Sequence, residues 1–243
     1  MIEVTGLSKS YGATVAVEAL TFSVAPGEVL GLVGPNGAGK TTTLRSLCGI
    51  IQPSGGTIRI GGFDVRDEGP QAKARLAFVP DEPQLFGYLT VAEHLTFVAR
   101  LYGVADAAEE GERLLEELEL TEKKGALPDE LSRGMKQKLA IACGLLHRPS
   151  ALILDEPLTG LDPGGIKRMR ATIAARARGG AAVILSSHLL PLVEELCTRL
   201  LVIRKGRCVA LGTRDEIVAA HPELAGLSLE DVFLTLTGEA GAP

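Results

Sequence analysis

The chain has no tryptophan, and aromatic residues make up only 4% of its 243 positions. An aromatic platform for stacking successive bases is therefore not expected. A basic surplus is missing too. Acidic side chains number 30 against 25 basic ones, for a net charge of −5, which argues against broad nucleic-acid binding. Hydrophobic residues reach 46%, but no uninterrupted apolar run approaches the roughly 20 residues that a membrane helix needs. Met1-Ile2-Glu3-Val4 lacks the basic and apolar regions of a signal peptide. The four cysteines, Cys48, Cys143, Cys197 and Cys208, show no CxxC spacing and sit among apolar residues, so buried free thiols in a reducing compartment are expected. Internal repeats and low-complexity linkers are also lacking. These absences point to a cytosolic chain whose association with a membrane would need a partner.

What is present centres on Gly34-Pro35-Asn36-Gly37-Ala38-Gly39-Lys40-Thr41. The apolar run Val29–Val33 precedes it, and the helix-compatible Thr42–Leu47 follows. Gly34 and Gly39 stand five apart, followed by Lys40 and Thr41, which is the phosphate-binding loop pattern. Glycines let backbone N–H groups turn inward without an obstructing Cβ. Those amides and the helix N-terminus behind them form an anion hole. Lys40 supplies a charge for the β- and γ-phosphates, and the Thr41 hydroxyl suits Mg²⁺. Thr42 completes the expected nucleotide contacts. An ordinary glycine-rich turn would account for the glycines but not for the Lys-Thr pair.

The length suits one α/β domain with a full core and leaves room for a subdomain. Residues 2–24 alternate as strands around Tyr11-Gly12: Ile2–Val4, Ala13–Val17 and Leu20–Val24. Thr57–Ile60 and Leu76–Val79 read as further strands. From Thr90 to Leu146 the period turns helical. Thr90 and Glu93 have capping-box form, with Leu95, Val98, Ala99 and Tyr102 on one face; Asp106 and Ser132 are placed to cap two more helices. Ala151–Leu154 and Ala182–Leu185 are continuous apolar runs, as central parallel strands require. Asp162-Pro163 opens a helix, Lys205-Gly206 turns a hairpin, and Thr213 and Ser228 cap the last helices. The expected architecture is a phosphate-loop core with a mostly parallel sheet, an N-terminal antiparallel β subdomain and an inserted helical subdomain. Its expected bounds are 1–80 and 148–238 for the core, 81–147 for the helical part, and 239–243 for a frayed tail.

Asp155-Glu156 ends a buried strand, on the side where open α/β sheets place ligands. Asp155 suits Mg²⁺, and Glu156 suits the orientation or deprotonation of a water. His188 ends the next strand, within plausible reach of a γ-phosphate. Ser132 and Gly134 open a helix that is a second anion-binding end. Tyr11 offers a ring for adenine. Taken alone, each of the last three reads better as a structural residue.

Taken in order, Ser10–Gly12, Gly34–Thr41, Val79–Gln84, Leu131–Met135, Leu154–Pro157, Gly160–Asp162 and Ser187-His188 resemble the nucleotide-binding subunit of ABC transporters. The resemblance spans nearly the whole chain. It implies a head-to-tail dimer, homomeric or heteromeric, with two ATP molecules at the interface. Each ATP would be held by the phosphate loop of one protomer and the Ser132–Gly134 cap of the other. It further implies Tyr11 as the adenine platform, Glu156 as catalytic base, Lys40 and His188 as phosphate contacts, and Asp162 as a residue crossing the interface.

Two departures stand out. The family signature usually reads Leu-Ser-Gly-Gly-Gln, where this chain has Arg133 and Met135 in place of the middle Gly and the Gln. The family's Gln after the Val79 strand aligns with Asp81, a hard Mg²⁺ ligand, while Gln84 comes three residues later. Both departures resemble the branch that pairs with ABC-2-type exporter permeases. The implied function is ATP hydrolysis driving a separate permease seated near Phe86–Leu89, with the chain peripheral to the inner membrane face and no nucleic-acid partner. The competing reading is a soluble ABC-type ATPase acting on ribosomes or DNA. Such proteins usually carry two cassettes or long coiled-coil arms. No residue here reads the transported substrate.

Overall fold

The computed structural model describes residues 1–238, so the tail expected at 239–243 lies outside the described residues. Two sheets organise the chain. The N-terminal one is antiparallel, in the order β2 (Thr14–Val24), β1 (Ile2–Tyr11), β4 (Gly55–Ile60), β5 (Phe63–Asp64). The other has six strands in the order β10 (Arg207–Gly212), β9 (Arg199–Arg204), β3 (Val29–Val33), β8 (Ala182–Ser186), β7 (Ala151–Asp155), β6 (Leu76–Val79). It is parallel from β9 to β6, with β10 antiparallel at the edge.

The central strands are buried on both faces, which is why they read as unbroken apolar runs. The period of two still sorts their side chains. Ala151, Ile153, Ala182 and Ile184 face the core shared with the antiparallel sheet, with Ile2, Phe22 and Leu44. Leu152, Leu154, Val183 and Leu185 face the opposite core, with Leu114, Leu139 and Ile173. Each of the Leu, Ile, Val and Phe side chains contributes about 1.5–3 kcal/mol by burial.

Helices flank the sheets: α1 (Lys40–Leu47) follows β3, and the short α2 (Gly69–Lys73) precedes β6. Between β6 and β7 lies an all-helical insertion of α3 (Val91–Tyr102), α4 (Ala107–Glu117) and α5 (Arg133–Leu145). The Thr90–Glu93 capping box starts α3, and Ser132 caps α5 by accepting from the Met135 amide at 3.2 Å. After β7 come α6 (Pro163–Arg178), α7 (Leu190–Leu196) after β8, then α8 (Arg214–Ala220) and α9 (Leu229–Thr237) after β10. Among the described residues no helix is long and apolar enough to cross a membrane.

Four local expectations change. The strands expected at Ile2–Val4, Ala13–Val17 and Leu20–Val24 are two long ones, because register shifts and a positive φ of 50° at Ala19 absorb the irregularity. The two-residue β5 and five-residue α2 are too short to leave a period. Asp106 stands at the start of α4 but makes no cap bond, because its carboxylate pairs with Arg148 instead. All four cysteines are free, but only Cys48 is buried; Cys208, on the edge strand β10, is exposed.

Candidate active site

Four of the chemical motifs lie beyond the carboxyl ends of parallel strands. The phosphate loop follows β3, Asp81 follows β6, Asp155 and Glu156 end β7, and His188 follows β8. Because these strands are neighbours and point the same way, the residues share one edge of the sheet. There they line a cleft of about 690 Å³ with Gly34–Thr42 along its base.

The loop is shaped by backbone constraints. Gly39 has φ 104°, and a Cβ there would lie 2.5 Å from the Ala16 carbonyl of β2. Only glycine lets the loop pack so closely while turning into α1. Gly39 also offers α1 no side-chain cap, so the helix N-terminus keeps its amides for an anion. The turn between β9 and β10 props the loop from outside, with the Gly206 amide donating to the Ala38 carbonyl at 2.8 Å. Lys40 Nζ donates to the carbonyls of Gly34 and Pro35, which folds the ammonium over the loop.

Thr41 Oγ1 donates to Asp155 Oδ2 at 3.4 Å across the cleft floor. Burial pushes the Asp155 carboxyl above the usual carboxylate range, and the nearby Asp81 charge adds to this. Thr41, Asp155 and Asp81 therefore present oxygen donors to one space, the donor set of a hard divalent cation. Among the described residues no cluster of three or more His, Cys, Asp or Glu converges as a complete cage. The two carboxylates and the hydroxyl that are present fit Mg²⁺, which takes one or two carboxylates and completes its shell with phosphate oxygens and water.

Glu156 adopts φ 49°, a left-handed conformation that costs a non-glycine residue roughly 1 kcal/mol or more. Its amide donates to the Ser186 carbonyl of β8 at 3.0 Å, which holds the turn. The side chain, 17% exposed, lies 2.8 Å from His188 through Oε2 and Nδ1. Burial raises the Glu156 carboxyl above its ordinary value, and the neighbouring His188 pulls it down. A partly desolvated carboxylate poised in this way suits a general base.

The remaining expected site residues lie outside this cleft. Ser132 is exposed and Gly134 buried at the start of α5, and neither lines the cleft. Gly134 packs so closely on the segment after β7 that a Cβ would stand 2.6 Å from the Gly160 carbonyl. Asp162 caps α6, accepting from the Gly165 amide at 3.0 Å. Tyr11 is exposed at the end of β1 with Lys9 Nζ 4.9 Å from its ring centre, and Ala16 rather than Tyr11 lines the cleft on that side. Sequence reasoning missed Leu190 and Phe233, which line the cleft from α7 and α9. Nothing local marks either residue.

A groove of about 790 Å³ adjoins the cleft between β6, α3 and α5. Phe86 on its rim packs edge-on against Phe97, with ring centres 5.3 Å apart. The Phe86 amide donates to Nε2 of the buried His94 at 3.0 Å, which pins the loop before α3. Phe86, Phe97 and Leu101 are exposed at 42%, 44% and 66%. Tyr102, expected on one face of α3 with Leu95, Val98 and Ala99, stacks on His147, with ring centres 3.9 Å apart.

Comparison with known proteins bears on the same residues. The family described as ABC transporter matches residues 17–159. The chain is 41% identical over 222 residues to Nod factor export ATP-binding protein I of Paraburkholderia xenovorans (strain LB400), covering 90% of this chain and 73% of that protein. It is 35% identical to linearmycin resistance ATP-binding protein LnrL of Bacillus subtilis (strain 168), covering 89% of this chain and 70% of that one. A solved structure of the ATP-binding subunit of an ABC transporter superimposes with a TM-score of 0.92 at 37% identity, covering 98% and 99% of the two chains. With its phosphate loop, strand-end acids and helical insertion in place, the chain belongs to the ABC transporter family as an ATP-binding subunit, an ATPase that powers transport.

Proposed function

We propose that the chain drives an exporter through a separate permease of the ABC-2 type and works as a dimer with two ATP molecules at the interface. The observation that carries this reading is the position of Ser132–Gly134: a helix start, of the kind that suits an anion, whose Ser132 is exposed outside the chain's own cleft. It would serve the triphosphate of a second cassette, identical or not. Export is supported by the relatives, which are named for Nod factor export and linearmycin resistance.

Within each cleft, Lys40 and the amides of residues 34–42 hold the β- and γ-phosphates, and Tyr11 stacks on adenine once the nucleotide brings the two together. Thr41, Asp155 and Asp81 would hold Mg²⁺, which when bound would neutralise charge on the phosphates. Glu156 takes a proton from water as that oxygen bonds to the γ-phosphorus. The bridging bond to the β-phosphate breaks, and ADP leaves with phosphate. His188 orients Glu156 and contacts the γ-phosphate.

The aromatic groove receives a cytoplasmic permease helix, which brings the chain to the inner membrane face. Co-expression with the hydrophobic membrane protein encoded beside it tests this. Recovery of both from detergent, lost in Phe97→Asp while ATP binding persists, is the expected result. A chain that never co-purifies with such a protein, and instead sediments with ribosomes, would refute it.

A further inference from the structure

Asp81 and Arg133 are two positions at which the chain departs from its family's usual residues, and they meet. Arg133 Nη2 donates to Asp81 Oδ1 at 3.2 Å, although the residues are 52 apart in sequence. Asp81 borders both the cleft and the groove. Arg133 is the first residue of α5, directly after Ser132. Its stem lies over Gly160, where an added Cβ would stand 3.1 Å from Arg133 Cδ and 3.2 Å from Cγ. One side chain thus touches the carboxylate beside the metal position and the segment following β7, and it belongs to the anion-binding cap itself.

We infer that Arg133 is a positioning residue that withholds the Asp81 carboxylate from Mg²⁺ in the nucleotide-free protomer, a latch between helical insertion and cleft that Mg²⁺-nucleotide must open. The inference rests on reading Asp81 as a Mg²⁺ ligand. A guanidinium and a divalent cation compete for the same oxygen lone pairs, so occupancy by one weakens the other. Both side chains are about half exposed, at 56% for Arg133 and 43% for Asp81, so the pair is weak enough to open. Opening it releases the first turn of α5 from Asp81 at the moment the cleft is loaded, while the buried Gln137 still donates to the Pro80 carbonyl at 3.4 Å. Nucleotide occupancy is thereby reported to the surface that a second cassette would meet.

The test is equilibrium binding of a fluorescent ATP analogue to the purified chain while Mg²⁺ is titrated. Arg133→Gln should lower the half-saturating Mg²⁺ by about two- to fivefold, the range an exposed ion pair supports. Arg133→Lys, which keeps the charge, should stay near the parent value. In an Asp81→Asn background, Arg133→Gln should produce no further shift. An equal shift in that background, or none in either, would overturn the latch. Asp81→Asn leaving the Mg²⁺ dependence untouched would instead overturn the metal role of Asp81, on which the latch depends.

Discussion

Glu156 Oε2 and His188 Nδ1 lie 2.8 Å apart, at the ends of neighbouring parallel strands. Through this contact His188 acts on the ionisation of Glu156. Burial holds the Glu156 carboxyl above its usual range, and His188 works in the opposite direction. A base must be ionised to accept a proton, so turnover at saturating ATP should fall as pH drops through that raised value. His188→Ala removes the influence that lowers it. The acid limb of the kcat–pH profile should therefore move to higher pH. A limb that stays in place in this variant would separate His188 from the titration of Glu156.

Lys40 folds back over its own loop, donating to Gly34 and Pro35. A charge-assisted contact with phosphate is worth about 1.5–3 kcal/mol. Lys40→Ala should therefore weaken ATP binding roughly ten- to hundredfold, as read by equilibrium titration. Unchanged affinity would remove Lys40 from phosphate binding.

Gly134 has backbone against it. A Cβ would stand 2.6 Å from the Gly160 carbonyl, so Gly134→Ala must push apart the start of α5 and the segment after β7. Overpacking of this kind costs about 1–3 kcal/mol. Because Gly134 lies outside its own cleft, the variant should bind ATP as a monomer with near-parent affinity yet lose most of its turnover. Full turnover would show that the cap serves no second nucleotide.

Much of the site could be read in the chain because its chemistry is local. The spacing of Gly34, Gly39, Lys40 and Thr41 requires a loop between strand and helix, and the apolar run before Asp155 places that acid at a strand end. What escaped depends on contacts distant in sequence. Phe233 reaches the cleft only because α9 packs on α7 and β9, which no period in residues 229–237 encodes. The Asp81–Arg133 pair spans the whole helical insertion up to α5. Asp106 has the residue type of a cap, but a tertiary partner, Arg148, took its carboxylate. Cys208 lies in an apolar run, yet β10 is an edge strand and leaves the residue exposed.

The central claim is that each cleft is half of an active site completed by another cassette. Glu156→Gln keeps the size of the side chain but removes its basicity, so turnover should fall by about 10²–10⁴ while ATP binding remains. Unhydrolysed ATP should then hold the two copies together. Size-exclusion chromatography with light scattering on this variant, with and without Mg²⁺-ATP, tests the claim directly. A monomer that becomes a dimer on adding Mg²⁺-ATP, and reverts when the nucleotide is removed, is the predicted result. A variant that binds ATP and stays monomeric at every concentration, both alone and mixed with a second cassette, would contradict it.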